Sequence, residues 1–405
     1  MLRRRSAANT NSGLLCLPDD VLMIILSYLD LKNQLKLKHF HFRFKNLMPY
    51  VWRAYNKSAH ISLIEMQLSD KDLRFFLEST QQTLSTLRLK MNERSNFEIL
   101  TSYRFPNLKD FRFSTHSFTL NDADVPRMLK TFPNLTTFSP HGKFTGKYFE
   151  ELEFLENLTV SYCSKFKVAN LIQILKTQKI KSLKLGIFDT DQISNTELPW
   201  NGIRNLEQLQ CYHEEMTVWF LSKLERLTHL KKIFLCGHVS NGFLREMLIA
   251  AKRSTINMIE INQNISIFLE TYGLNVAIKT LKLANFGMHA YQHLHINVNE
   301  LYIQYSVCVD ESKFHTLIEN INTHEVLGLY RCTFGFKEFT FDAKKLGENR
   351  TTALNIYVEL NTYLSSNKDA IPMTWKVQGE HSLFKLHMEH PKITFNSDPV
   401  SIYFD

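Results

Sequence analysis

Few residues of this 405-residue chain have the types and spacing that catalysis or metal binding needs. His293 and His295 would share one face of a strand, a weak indication of a metal site, but a polar strand or loop is the simpler interpretation. His213-Glu214-Glu215 is an isolated cluster, and Cys332 follows Arg331, a cation that could activate a thiol. Nucleophile elbows, phosphate-binding loops, zinc-protease helices and dinucleotide fingerprints do not occur in the sequence. We therefore expect no enzymatic activity, no bound metal and no cofactor.

The composition is that of a folded protein with a moderate excess of basic residues. The net charge is +8 with 44% apolar residues, and basic residues spread along a chain do not by themselves indicate a nucleic-acid-binding surface. The longest apolar run, 21–26, is too short to cross a membrane, and we expect residues 1–16 to be a flexible tail. The six cysteines lack metal-binding spacing. Because the sequence shows no secretory signal, we expect reduced thiols and a location in the cytoplasm or nucleus.

A short apolar motif recurs along most of the chain. Leu84-x-x-Leu87-x-Leu89 is followed by similar segments that begin at residues 108, 135, 155, 180, 206, 230, 256, 278 and 298. Intervals of 20 to 27 residues and this strand pattern are typical of leucine-rich repeats. Helical stretches such as 168–175 lie between the strands, so the pattern predicts an α/β fold, a right-handed horseshoe-shaped solenoid with outer helices. Cys332 occupies a turn position of the repeat, which favours a structural role for this thiol.

The segment that must place any partner-binding surface near the N-terminus is Leu17-Pro18-Asp19-Asp20-Val21-Leu22-Met23-Ile24-Ile25-Leu26-Ser27-Tyr28-Leu29-Asp30. Proline and two acids suit the first turn of a helix, and apolar residues at positions 21, 22, 25, 26 and 29 form one stripe. Asp30 can cap a second helix, from about residue 32 to 39. A unit of about forty residues is too small to bury a robust core alone. The stripe therefore needs cover, either from the rest of the chain or from a partner.

This segment resembles the F-box over roughly residues 17 to 56. Leu17-Pro18-Asp19-Asp20-Val21-Leu22 and Ile25-Leu26-Ser27-Tyr28-Leu29 follow the family pattern, and Val51-Trp52 matches its end. The middle departs from the pattern, because 40–44 reads Phe-His-Phe-Arg-Phe without the usual cysteine and with Phe44 near the usual tryptophan. The resemblance implies docking on a Skp-type adaptor and, through it, on a cullin. The adaptor-binding residues that it implies are Leu17, Pro18, Leu22, Ile25, Leu26, Leu29 and Trp52.

An F-box followed by leucine-rich repeats resembles the substrate-recognition subunits of Skp–cullin–F-box (cullin-RING) E3 ubiquitin ligases. The repeats would then bind the protein targeted for ubiquitination, through residues that face outward between the apolar strand positions. Our candidates are Arg88, Lys90, Arg112, Lys184, Tyr212, Tyr302, Tyr305, Tyr330 and Arg331. Basic groups with tyrosines suit an acidic or phosphorylated segment, and a solvated face without a ligand is the alternative. The other functional interpretation is a leucine-rich-repeat scaffold or nucleic-acid-associated adaptor outside a ubiquitin ligase.

The repeat pattern changes near residue 365. Segments 375–377, 383–388 and 393–395 are strand-like, with connections too short for helices, so we expect antiparallel strands that cap the solenoid. The predicted divisions are a tail over 1–16, the F-box over 17–57, repeats over 58–365 and capping strands over 366–405.

Overall fold

A computed structural model describes residues 13–186, 197–212, 218–220, 222, 226–236, 247, 255–262, 277–285, 287, 297–321, 324–364 and 370–388. Several predictions lie outside these residues: residues 1–12 of the predicted tail over 1–16, His213-Glu214-Glu215, His293, His295 and the strand at 393–395. The chain divides into two compact units, Met1–Leu155 and Glu156–Asp405. No helix in the described ranges is long and apolar enough to cross a membrane.

The first unit begins with three helices and continues as alternating strands and helices. The helices are α1 Asp19–Ser27, α2 Leu31–Phe40, α3 Phe42–Tyr55, α4 Leu63–Met66, α5 Asp70–Thr80, α6 Arg94–Thr101 and α7 Val125–Thr131. The strands are β1 Ser58–Ser62, β2 Thr86–Met91, β3 Asp110–Thr115 and β4 Thr137–Ser139. These four strands form a parallel sheet in chain order. Short 3-10 helices lie at Leu14–Cys16, Asp122–Asp124 and Phe149–Glu151.

Helices α1 and α2 start where the sequence predicts. Pro18 was expected in the first turn of α1 but lies one position earlier, at the N-cap. Its carbonyl accepts a hydrogen bond from Leu22 N. The Asp30 carboxylate accepts from Asn33 N at 2.7 Å and caps α2, as expected. Aspartates at Asp19 and Asp20 lie in the first turn of α1, where the helix dipole favours negative charge.

The second unit contains a longer parallel sheet. Its helices are α8 Val168–Thr177, α9 Trp200–Ile203, α10 Glu311–Asn320 and α11 Ala343–Gly347. Its first strands are β5 Asn157–Thr159, β6 Ser182–Leu185, β7 Gln208–Cys211, β8 Lys232–Cys236, β9 Met258–Asn262, β10 Ala277–Ala284, β11 Asn297–Gln304 and β12 Val307–Cys308. The remaining strands are β13 Val326–Tyr330, β14 Thr333–Phe334, β15 Glu338–Asp342, β16 Leu354–Glu359, β17 Thr362–Leu364, β18 Ala370–Pro372, β19 Thr374–Gln378 and β20 Phe384–His387. Strands β5 to β11, then β13, β16 and β20, are neighbours in that order.

Strand register confirms that the repeated apolar motif marks parallel strands. In the first unit, Leu87 is opposite Phe111 and Phe111 is opposite Phe138. In the second unit the same position runs from Leu158 through every neighbouring strand to Leu386 in β20. Burying one such side chain contributes about 1.5–3 kcal/mol, so stacked apolar rows hold the strands in register.

The repeated Phe-Pro-Asn-Leu segments form equivalent turns in the first unit. The Asn107 amide donates to Gln82 O at 2.7 Å, and the Asn134 amide donates to Pro106 O at 2.8 Å. The rings of Phe105 and Phe132 lie 5.7 Å apart in the buried core. Each asparagine therefore joins its own repeat to the preceding one.

The prediction of antiparallel capping strands after residue 365 is wrong for β19 and β20. Among the strands that the structure describes, only β18 runs antiparallel to its neighbour, β17. Strand β19 pairs parallel with β15, and β20 pairs parallel with β16. The connection between β19 and β20 is short because the two strands belong to different sheets, so neither a hairpin nor a crossover helix joins them. Strand β20 thus continues the parallel sheet past the predicted end of the repeats.

Candidate functional site

Helices α1, α2 and α3 enclose a small apolar core with one buried amide. Leu22, Leu26 and Trp52 are fully buried, and Phe44 is nearly so. Inside this core, Gln34 Nε2 donates to Leu26 O at 2.9 Å, and Trp52 Nε1 donates to Gln34 Oε1 at 2.8 Å. The amide of Gln34 therefore joins all three helices and satisfies the buried indole.

This burial corrects part of the predicted adaptor-binding set. Leu22, Leu26 and Trp52 build the interior of the three-helix domain, so a partner cannot reach them in this structure. Pro18 is exposed, and Leu17, Ile25 and Leu29 are partly exposed. The apolar stripe located the inward face of α1 correctly, but spacing along one helix does not report how deeply each residue is covered.

The most exposed apolar side chains of this domain were not predicted. Ile24 and Tyr28 lie one helical turn apart on α1, and the side chain of Tyr28 is 85% exposed. Phe40 and Phe42 flank the α2–α3 junction, with exposures of 84% and 70%. The sequence did contain a signal for these residues. Ile24 and Tyr28 are apolar residues outside the main stripe of α1, and Phe40 and Phe42 belong to the segment 40–44 that departs from the family pattern. Large exposed apolar residues grouped on a small domain are typical of interaction surfaces.

Residues 14–48 match the F-box domain. The chain therefore carries an F-box. F-box domains generally bind Skp-type adaptors. The matched range covers α1, α2 and the first half of α3, whereas Trp52 lies beyond it. A search of curated proteins finds no match to the chain.

Polar and aromatic contacts attach the F-box to helix α5 of the first unit. The ammonium group of Lys38, itself buried, pairs with the Asp72 carboxylate, which also accepts from Ser69 Oγ at 2.7 Å. Burial raises the pKa of Asp72, but the hydrogen bonds from Lys38 and Ser69 outweigh it and hold that pKa at about 2. The Trp52 ring lies 5.4 Å from Phe75 and 5.1 Å from Phe76. The F-box and helix α5 thus share one packed interface.

The outward face of the first sheet brings several predicted substrate-binding residues together. Arg88 on β2 is opposite Arg112 on β3, and His60 on β1 is opposite Arg88. Lys90 follows on the same face of β2. We call His60, Arg88, Lys90 and Arg112 the cationic row. The other residues on this face of β1 to β4 are mostly serine and threonine. Two carboxylates approach it: Asp110 accepts from Arg112 at 2.9 and 3.0 Å, and Glu65 pairs with Lys90 at 3.3 Å.

The outward face of the second sheet is much less accessible. Its central positions include Gln210, Phe234, Glu260, Lys282 and Tyr302 on successive strands β7 to β11, and all five are buried. Tyr302, a predicted substrate-binding residue, is only 7% exposed, which corrects its assignment to an open surface. Burial raises the pKa of Tyr302, and that of Tyr212, well above the usual range. Burial at these positions depends on residues that are distant in the chain, and sequence spacing does not report it.

Lys184 and Tyr212 remain partly accessible at the start of this second face. Lys184 is opposite Gln210, whose amide lies 3.5 Å from Tyr212 Oη. At the opposite end, the exposed Arg331 side chain donates to Tyr305 Oη at 2.7 Å. Its guanidinium carbon lies 5.1 Å from the Tyr330 ring centroid and 5.7 Å from that of Tyr305, which is cation–π geometry. The structure therefore brings Tyr305, Tyr330 and Arg331 together, and their role in substrate binding stays a prediction.

Cys332 has the structural role that the repeat pattern predicted. Its thiol is fully buried and donates to Ile303 O at 3.4 Å and Tyr330 O at 3.5 Å. Burial raises the pKa of Cys332 to about 12, so the sulfur remains a protonated thiol. Among the described residues, no three His, Cys, Asp or Glu side chains are grouped to hold a metal ion.

Proposed function

We propose that this protein is the substrate-recognition subunit of a Skp–cullin–F-box E3 ubiquitin ligase. The F-box match at residues 14–48 carries this proposal, because F-box domains generally bind Skp-type adaptors. The chain would contribute no bond-making chemistry. It would hold a target protein near a conjugating enzyme that the cullin supplies, so that proximity raises the rate of transfer. Such a subunit would act in the cytoplasm or the nucleus.

The exposed surface of the F-box supports adaptor docking. Ile24 and Tyr28 offer apolar area on α1, Pro18 is exposed before it, and Leu17 is partly exposed. Burying such side chains at an interface contributes about 25 cal/mol for each Å² of apolar surface removed from water. We therefore assign the adaptor contact to Leu17, Pro18, Ile24, Ile25, Tyr28 and Leu29, and a supporting role to the buried Leu22, Leu26 and Trp52.

Co-purification tests the assignment directly. The full chain, expressed with a Skp-type adaptor and a cullin, should recover both proteins. Leu17→Ala with Pro18→Ala, and separately Ile24→Asp with Tyr28→Asp, should reduce adaptor recovery strongly. Tyr55→Asp, an exposed aromatic on α3 beyond the matched range, is the control and should leave recovery unchanged.

No recovery of adaptor by the wild-type chain would overturn the ligase proposal. Salt-dependent retention of nucleic acid without adaptor or cullin would favour the alternative of a nucleic-acid-associated scaffold. Full recovery by both double variants would move the adaptor contact to another surface.

For the target protein, we propose the cationic row of the first unit as the principal contact. Its side chains are partly or fully exposed, and guanidinium groups on adjacent strands can hold one phosphate or two neighbouring carboxylates. An acidic or phosphorylated segment of the target is therefore the partner that this face favours. The secondary candidates are Lys184, Tyr212 and the group formed by Tyr305, Tyr330 and Arg331.

A charge-reversal pair tests this surface. Arg88→Glu with Arg112→Glu should weaken binding of a phosphorylated or acidic peptide at least tenfold, which corresponds to about 1.4 kcal/mol. Lys176→Glu with Lys179→Glu, on exposed positions of the second unit, makes the same change in net charge and is the control. Equal binding by the wild-type chain and the Arg88/Arg112 variant would leave the row as a solvated face. Equal loss in both variants would indicate a general charge effect.

We also propose that the strands and helices after the F-box are leucine-rich repeats arranged as a solenoid. The parallel sheets, the intervals of the motif and the structural Cys332 turn support this interpretation.

A further inference from the structure

The N-terminal edge of the F-box is tied to helix α3 by one side chain. Arg43 lies in the first turn of α3, and its guanidinium group reaches back to residues before and at the start of α1. Nε and Nη2 donate to one Asp19 carboxylate oxygen at 2.9 and 2.6 Å, and Nη2 also donates to Leu17 O at 2.7 Å. Nη1 donates to Leu15 O. The Arg43 guanidinium group thus donates four hydrogen bonds to a single short segment. We call this set of bonds the Arg43 clamp.

The clamped segment has little else to fix its position by packing. Residues 13–16 are exposed, and the 3-10 helix Leu14–Cys16 buries no residue. Its backbone bonds, Cys16 N to Gly13 O and Leu17 N to Leu14 O, are local and span three residues each. Hydrogen bonds to a charged donor are roughly twice as strong as neutral ones, so the clamp is a strong long-range restraint on this segment.

The same segment carries apolar surface that the fold leaves uncovered. Leu14 and Leu15 are exposed, Leu17 is partly exposed, and Pro18 is exposed at the start of α1. The F-box match begins at residue 14 and includes Arg43. A segment held in its bound conformation before association avoids the entropy cost of ordering on binding.

We propose that Arg43 is a positioning residue that fixes residues 13–19 in the conformation met by a Skp-type adaptor. This inference rests on the proposed function for the identity of the adaptor. Arg43 itself acts through the segment: its donors are engaged by Asp19, Leu17 and Leu15. A lysine could pair with Asp19 but lacks the planar fork needed to reach the two carbonyls as well.

Two measurements on the full chain test the inference. Arg43→Gln should speed amide hydrogen exchange over residues 14–22 while exchange in α3 and α5 stays as in the wild type. The same variant should weaken adaptor binding about ten- to hundredfold, the range expected when hydrogen bonds to a charged group are lost. Arg43→Lys should give an intermediate affinity. Arg53→Gln is the matched control, because Arg53 lies on the same helix but donates only to Pro49 O of that helix.

A double-mutant cycle with Asp19→Asn separates positioning from direct contact. If Arg43 acts through Asp19, the double variant should lose less affinity than the product of the two single losses. Strictly multiplicative losses, unchanged hydrogen exchange in Arg43→Gln, or unchanged adaptor affinity in that variant would each overturn the inference. Failure of the wild-type chain to bind adaptor would instead overturn the proposed function, and with it the adaptor part of this inference.

Discussion

The outward faces of the parallel strands in the two units follow the same sequence pattern but have opposite character. In the first unit, His60, Arg88 and Arg112 lie side by side on three adjacent strands with partial or full exposure. In the second unit, the equivalent positions place Glu260 and Lys282 on adjacent strands and bury both. One face exposes its charged side chains to solvent, whereas the other encloses them within the fold. Equivalent positions in a repeat therefore do not imply equivalent function.

The largest expected contrast comes from removing one charge on each face. Glu260 is 0% exposed, and burial lowers the pKa of Lys282 while the charge of Glu260 opposes that effect. Glu260→Ala leaves Lys282 buried without this compensation and should reduce the free energy of unfolding by about 3 kcal/mol. Arg112→Ala, which removes a half-exposed ion pair in the first unit, should cost under about 1 kcal/mol. Urea denaturation, with hydrogen exchange of β9 and β10 as a local readout, measures both.

A second variant controls for cavity formation at Glu260. Glu260→Ala combined with Lys282→Met removes both charges and should recover much of the lost stability. Equal destabilisation by Glu260→Ala and Arg112→Ala would contradict the contrast between the two faces.

The second unit should respond to mild acid through His324. Burial, and then the charge of Arg350, lower the pKa of His324 to about 4 from its ordinary 6.5. The folded state therefore keeps this imidazole neutral while the unfolded state protonates it. The contribution of His324 to stability is complete above about pH 6.5 and declines by about 3 kcal/mol as pH falls to about 4.

His324→Gln should flatten this part of the pH profile, whatever its effect on stability at pH 7. The measurement is the free energy of unfolding between pH 4 and 7, with hydrogen exchange in β13 reporting on the second unit. A slope that persists in the variant would assign the acid response to other groups.

The first unit should respond at lower pH, and by a smaller amount, through Asp72. Its folded pKa of about 2 lies below the ordinary value near 4, so the carboxylate stabilises the folded state above about pH 4. That contribution, about 2 kcal/mol, should be lost as pH falls through 2. Asp72→Asn should remove this dependence and loosen the contact between the F-box and α5. Hydrogen exchange of α2 and α5 at several pH values would test it, and identical profiles for the two proteins would refute it.

The sequence was sufficient to predict elements whose pattern is local. The capping of α2 by Asp30, the inward face of α1 and the strand positions from Leu87 to Ile356 all depend on short-range spacing. Properties that depend on distant neighbours were not predicted. Tyr302 is buried although it faces outward from its strand, and β20 joins β16 while β19 pairs with β15 in a different sheet.

The candidate site shows the same division. Motif spacing located the F-box and the arginines of the cationic row. It could not distinguish Leu22 from Ile25, which belong to the same apolar stripe, because the packing of the neighbouring helices buries Leu22 fully and Ile25 only in part. Arg43 was also inconspicuous, since its partners lie 24 to 28 residues earlier in the chain.

The asparagines of the Phe-Pro-Asn-Leu turns give the first unit a direction of assembly. Asn107 and Asn134 each donate to a carbonyl that precedes them by 25 and 28 residues. The asparagine bonds of a turn can therefore form against residues that have already been made, whereas the bond from Phe105 N to Thr131 O forms only when the next turn has been made. The F-box end of the chain can act as the template on which later repeats are laid down in order.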